Sequence, residues 1–189
     1  MHNLKFRILR EEGERYGWGF ILIHKDRLKE FLNELLTQKS KLKLLDVGAW
    51  KCMLKGWLDS EFPNRIEYVG IDVIDLEDRR KDVEFYVMSG DSLLFPSNTF
   101  DVVVYIETLE HIPNYVEALK EAYRILKPNG GLFIQSVICY DKNALLDRTH
   151  LHVLHPVTLK RLLEWIGFTN IEYIEDNNFV VTARKSVKP

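Results

Sequence analysis

Hydrophobic positions recur along this chain in two alternating rhythms. From Asp26 onward, Leu28, Phe31, Leu32, Leu35 and Leu36 fall three and four apart, which predicts a helix with one apolar face, capped by Asp26 and ended by Lys39-Ser40-Lys41. A continuous apolar strand follows over 42–47, then a helix over about 53–62 and strands over 66–73 and 83–88. The second half repeats the alternation. FDVVVYIE at 100–107 reads as a strand, and Asn114 caps a helix with Val116, Leu119, Ala122 and Leu126 inside, closed by Lys127-Pro128-Asn129-Gly130. GLFIQSV at 131–137 is the next strand, and Pro156 opens a helix with Leu159, Leu162, Leu163 and Ile166 on one side and Gly167 at its end. IEYIE and FVVTAR flank Asp176-Asn177-Asn178 as an antiparallel hairpin. Alternating units of this kind build an α/β, doubly wound sheet, mostly parallel, with one antiparallel strand near the C-terminus.

Composition narrows the picture. With 189 residues, 46% hydrophobic and 29% charged, the chain suits a single domain, with 1–38 as an N-terminal extension and helix. Net charge is -2 with both signs spread along the chain, so no basic stripe marks a nucleic acid as partner. Cys52 and Cys139 lie in different predicted elements and nothing resembling a signal peptide precedes them, which points to a reducing, cytoplasmic setting. The apolar runs at 102–106 and 19–23 fall far short of the roughly 20 residues of a membrane-spanning helix. No motif encodes an oligomeric state, and the segment through Ile23 reads as a lid, a dimer contact or both.

Candidate chemistry begins at LLDVGAWKC, 44–52. In an open α/β sheet, ligands sit at the carboxyl ends of strands where strand order reverses, and Asp46-Val47-Gly48 ends such a strand. Gly48 lets the backbone approach a ligand. Asp72 closes the next strand, 26 positions after Asp46, near the offset at which an acid accepts hydrogen bonds from a ribose diol. Asp91, with Ser92 beside it, can accept from an exocyclic amine after the third strand. Each aspartate alone also suits a turn or a helix cap; the pattern is three of them at successive strand ends.

The ordered series LLDVGA (44–49), YVGIDV (68–73), SGDSLLFPSNTFDVVV (89–104), LEHIPN (109–114), RILKPNGG (124–131) and GF (167–168) resembles a class I S-adenosylmethionine-dependent methyltransferase over roughly two-thirds of the chain. The resemblance implies a Rossmann-like seven-stranded sheet, S-adenosylmethionine as cofactor and a small-molecule methyl acceptor. It implies cofactor contacts from Asp46, Gly48, Ala49, Trp50, Asp72, Val73, Asp91, Ser92 and Ile106. The family pattern acidic-x-Gly-x-Gly-x-Gly places its second and third glycines at Trp50 and Cys52. Trp50 must then point away, packing on the N-terminal helix or Tyr16-Gly17-Trp18, or join the pocket wall and offer its face to the sulfonium. Cys52 reads as a small buried residue starting the helix. A cofactor without pyrophosphate does not need a nest of amides, so one glycine suffices.

Methyl transfer is an in-line displacement, so the protein must place a nucleophile behind the methyl group and, for a hydroxyl, take up its proton. In IETLEH a helical turn after the strand brings Glu107, Glu110 and His111 to one face. This E-x-x-E-H spacing, with a histidine in DRTHLH, resembles the divalent-metal site of two methyltransferase groups: the ubiquinone-biosynthesis catechol O-methyltransferases and the small-RNA 2′-O-methyltransferases. By that likeness Glu107, Glu110, His111 and His150 hold a magnesium- or zinc-like ion that lowers the pKa of a substrate hydroxyl, with Glu110, His111 and His150 as catalytic residues. The alternative needs no metal: His111 packs beneath the methionine part of the cofactor or orients the substrate. His152 and His155 read as loop or helix-cap groups, and His2 and His24 carry no motif. The stretch from 139 to 155 is long for a connection and reads as a substrate lid. Its Tyr140, Leu145 and Leu146 suit a partly apolar small molecule better than RNA.

The expected activity is methyl transfer to a small molecule, with oxygen as acceptor atom. Two alternatives are a non-catalytic partner protein of the same fold and a metal-dependent RNA 2′-O-methyltransferase. A nicotinamide oxidoreductase ranks last, since its pyrophosphate needs the two missing glycines.

Overall fold

A computed structural model describes residues 22–187. His2, Tyr16-Gly17-Trp18 and most of the run at 19–23 lie outside the described residues, as do the roles expected of them. The strands are β1 (Leu42–Val47), β2 (Ile66–Asp72), β3 (Glu84–Val87), β4 (Phe100–Ile106), β5 (Leu126–Val137), β6 (Phe168–Glu175) and β7 (Asn178–Lys185). The described helices are α1 (Lys25–Leu36), α2 (Met53–Glu61), α3 (Tyr115–Ile125), α4 (Lys142–Leu146) and α5 (Pro156–Ile166). None is long and apolar enough to cross a membrane.

The strands form one sheet in the order β3-β2-β1-β4-β5-β7-β6. β1 lies between β2 and β4 and pairs with both in parallel, so strand order reverses at β1/β4. β7 alone runs antiparallel, pairing with β5 on one side and β6 on the other. Central strands read as unbroken apolar runs because helices cover both faces. On one face Leu45, Val103, Tyr105 and Ile134 pack with Leu119, Ala122, Leu159 and Leu163. On the other, Leu44, Val102, Val104 and Phe133 pack with Leu28, Leu32, Leu54 and Leu58.

Three local expectations change. Asp26 sits in the first turn of α1, and His24 takes the cap position. Asn114 occupies the cap position of α3 without a side-chain cap bond. Leu126 belongs to β5, not to the helix face, because it pairs with Phe100 before the register shifts to Val102 opposite Gly131. The Lys127–Gly130 stretch makes its turn inside the span of β5, as a bulge at that register shift with Asn129 left-handed at φ 62°. At the end of α5, Gly167 adopts φ 117°, the left-handed cap that the sequence predicts.

Candidate functional site

The loop leaving β1 answers what Trp50 does to it. Gly48, Trp50 and Cys52 have φ of 76°, 48° and 59°, so all three pattern positions are left-handed although only one is glycine. A side chain in that region costs on the order of 1–2 kcal/mol, and the surrounding bonds hold it there. Gly48 and Ala49 both donate their backbone N–H to the Ile71 carbonyl at 2.9 Å, and Cys52 N–H donates to Ala49 O at 2.6 Å. Trp50 N–H donates to Asp72 Oδ2 at 2.9 Å, and Ile74 N–H reaches Oδ1 at 3.3 Å. Trp50 is half-buried, while Cys52 is fully buried at the start of α2, as expected. At Gly48 the glycine is required, because a Cβ would lie 2.3 Å from Thr108 Cγ2.

Two aspartates stand under this loop. Asp46 is buried and accepts the Tyr68 hydroxyl at 2.6 Å. Burial raises its pKa to about 7, with the Tyr68 bond opposing and the Asp72 charge adding. Burial also raises Asp72, against the amides of Trp50, Ile74 and Val73. Val73, just past β2, and Ile106, the last residue of β4, are half-buried; Asp91 accepts the Ser89 hydroxyl at 2.5 Å, and Ser92 is exposed.

Beyond β4 the chain turns through Glu107, at φ 47°, into a single 3-10 turn, Leu109–His111. One ligand atom from each of Glu110, His111 and His150 lies within 4.8 Å of the others, so three of the four expected ligands converge. Glu107 stands outside this group. Its Oε1 accepts Gln135 Nε2 at 2.8 Å and Asn178 Nδ2 at 2.6 Å. Burial, then the Glu110 charge, raise Glu107 to about 8.

Glu110 is 1% exposed. Its Oε2 accepts the Ser136 hydroxyl at 2.9 Å, and the Glu107 carboxyl stands within hydrogen-bonding reach of its own. Burial raises its pKa to about 7. His111 Nδ1 faces the Thr149 carbonyl at 3.1 Å and His150 Nδ1 faces that of Ala144 at 2.8 Å. A carbonyl only accepts, so each Nδ1 carries hydrogen and each neutral ring keeps its lone pair on Nε2. Burial lowers the His111 pKa, which favours that neutral form.

Residues 139–155 run over this end of the sheet and include α4. Leu151 and His152 donate their N–H groups to Glu110 O at 2.8 and 3.2 Å, and His152 Nε2 meets Pro113 O at 3.0 Å. His155 caps α5 by accepting Val157 N–H. Tyr140, Leu145 and Leu146 are exposed. Sequence reading passed over Tyr68, Gln135, Ser136 and Asn178, which hold the acids in place. The signal for Gln135 and Ser136 was a polar pair inside the apolar run GLFIQSV.

A doubly wound sheet with one late antiparallel strand, carrying an acidic left-handed loop where its strand order reverses, is the class I S-adenosylmethionine-dependent methyltransferase architecture. The chain belongs to the methyltransferase domain family, whose model matches residues 22–173. It is 36% identical over 148 residues to a ubiquinone/menaquinone biosynthesis C-methyltransferase of Hydrogenovibrio crunogenus, covering 64% of this chain and 58% of that protein. The chain thus spans little more than half the length of the curated relatives it matches. Among solved structures, the fold matches a 1,6-didemethyltoxoflavin-N1-methyltransferase of Burkholderia thailandensis, with bound 1,6-didemethyltoxoflavin and S-adenosylhomocysteine. The TM-score is 0.70 at 15% identity, over 98% of this chain and 89% of that one. It also matches an S-adenosylmethionine-dependent methyltransferase of Archaeoglobus fulgidus, with TM-score 0.68 and 18% identity over 83% and 94% of the two chains.

Proposed function

We propose that this protein transfers a methyl group from S-adenosylmethionine to a small-molecule acceptor. One observation carries the reading: the loop keeps three left-handed residues, tied to half-buried Asp72, above buried Asp46. Ion pairs among the described residues reach neither Asp46 nor Asp72, so this end of the sheet suits a ligand that brings its own positive charge. In this reading Asp72 accepts from the ribose diol, and Asp91 with Ser92 takes the adenine amine. The Gly48–Ala49 backbone lies along the amino-acid part, with Val73 and Ile106 as apolar walls and Trp50 at the rim. The cofactor supplies an activated methyl group on a sulfonium leaving group.

Glu110, His111 and His150 are the residues for the acceptor. They suit a hydroxyl, either by taking its proton or by holding a divalent ion that lowers its pKa. The convergence of Glu110, His111 and His150 supports the ion, as does the fixing of both imidazoles through Nδ1. Oxygen is the receiving atom in this reading. Carbon is a second reading, favoured by the relatives' being C-methyltransferases. The two share a requirement, because removing the proton of a phenol-type hydroxyl also places negative charge on conjugated ring carbons. The apolar lid and a net charge of -2 support a small molecule over RNA.

Calorimetric titration with S-adenosylmethionine, followed by mass spectrometry of hydroxyarenes incubated with enzyme and cofactor, tests the proposal. A binding isotherm and a methylated product are expected, and fragmentation separates O- from C-methylation. Absence of binding heat at millimolar cofactor would sink it and favour a non-catalytic partner.

A further inference from the structure

Of the three candidate ligands, two sit on the sheet side and one on the lid. Glu110 and His111 belong to the turn after β4, fixed to the sheet through Ser136 Oγ on Glu110 Oε2. His150 does not. It lies in the segment 139–155, eight residues after α4 begins at Lys142, and Ala144 of that same helix orients its ring. The two sides already meet through backbone contacts. His111 Nδ1 donates to Thr149 O, and Leu151 N–H and His152 N–H donate to Glu110 O. Each of these bonds joins a candidate ligand, or its neighbour, on one side to the lid on the other.

Resting on that ion reading, we infer that an ion of the zinc class held by Glu110, His111 and His150 is a latch that fastens the 139–155 segment over the acceptor site. The donor set selects the metal. Two imidazole nitrogens and one carboxylate form the His2Glu combination of open zinc sites, with a fourth position left for a substrate oxygen. Magnesium takes nearly all-oxygen surroundings and keeps its waters, which two imidazoles do not provide. Glu107 contributes differently, because the Gln135 and Asn178 amides already occupy its Oε1 and it lies outside the group of three. It is a positioning neighbour of Glu110 and not a ligand. A latch of this kind makes lid order depend on metal, separately from any reaction.

Metal-stripped full-length protein is titrated with zinc and, separately, magnesium. Uptake is read by calorimetry, and lid order by hydrogen–deuterium exchange of peptides covering 141–152. Zinc is expected to bind one per chain and to slow exchange in those peptides about tenfold, with no effect from equal magnesium. His150→Ala is expected to weaken zinc on the order of a hundredfold and to abolish the added protection, while Glu107→Gln keeps both. His150→Gln, checked by thermal melting, serves if the alanine variant does not fold. Zinc binding equally to wild type and His150→Ala with unchanged lid exchange overturns the latch but leaves an ion on Glu110 and His111. Magnesium matching zinc overturns the selection. No zinc taken up by wild-type protein overturns the latch and the ion reading together.

Discussion

The two ends of the sheet both bury aspartate, and they surround it oppositely. At the N-terminal end Asp101, near the start of β4, meets Lys39 and Lys127, the latter at 3.0 Å, and accepts the backbone N–H of Lys43 in β1 at 2.9 Å. Burial pushes its pKa up, but these three donors together hold it below the ordinary carboxylate range. At the C-terminal end Asp46 and Asp72 are raised by burial and, among the described residues, receive hydroxyl and amide donors. The same side chain is an ion-paired fastener at one end and, at the other, an acid that its burial pushes toward the protonated form.

The largest expected effect breaks the comparison at either end. Asp72→Ala removes the acceptor for Trp50 N–H and, in the proposed role, for a ribose diol, so S-adenosylmethionine affinity is expected to fall on the order of a hundredfold by calorimetry. Asp101→Ala leaves Lys43 N–H without its acceptor and two lysines without their counter-charge. It costs about 2–4 kcal/mol in urea unfolding while affinity stays within about twofold. Equal losses of affinity in the two variants would erase the distinction.

Gly48→Ala comes next. Its Cβ would sit 2.3 Å from Thr108 Cγ2 at a φ of 76°, and about 2–3 kcal/mol of stability is expected to be lost. A Thr108→Ala change in the same chain recovers part of that loss, because it removes the clashing methyl but not the strained φ.

Acidity sharpens the contrast through its sign. Asp46 has a folded pKa of about 7, above its unfolded value, so the folded state binds the extra proton between them. Stability of ligand-free protein therefore falls as pH rises from about 4 to 7, by an amount on the order of a few kcal/mol. Asp46→Asn reduces that slope in melts from pH 5 to 8, and the raised Asp72, Glu107 and Glu110 keep the remainder. Asp101, lowered by its donors, tilts the other way: its contribution is present above the ordinary aspartate pKa and is lost on acidification. Asp101→Asn removes only the acid-side loss.

The smallest change is Trp50→Gly. Releasing a left-handed side chain gains about 1 kcal/mol, against lost burial of a half-buried indole, so the melting shift is expected to stay within about 1 kcal/mol of wild type. A loss of several kcal/mol would make the indole core and not rim.

Much of the scaffold was legible because its signals are local. β1 and β4 are apolar on both faces, and α5 carries Pro156 at its start and Gly167 at its end. The start of β5 was not legible. Pro128, Asn129 and Gly130 spell a turn and Asn129 is left-handed at φ 62°, but the pairing of Leu126 with Phe100, far away in sequence, places that turn inside β5 as a bulge. At the site, spacing brought Glu110 and His111 together with His150. Glu107 lies outside that group of three, its carboxyl held by amides from 28 and 71 residues downstream. Tertiary donors of this kind leave no periodicity to read.

The three positive φ angles at Gly48, Trp50 and Cys52 bear on how relatives of this chain are sought. A bend can be inherited as a shape after the residues that once made it easy have been replaced, provided neighbours such as Asp72 keep it tethered. Searches keyed to glycine spelling will pass over such descendants. Searches keyed to the torsion angles, and to the acid that staples them, will recover them.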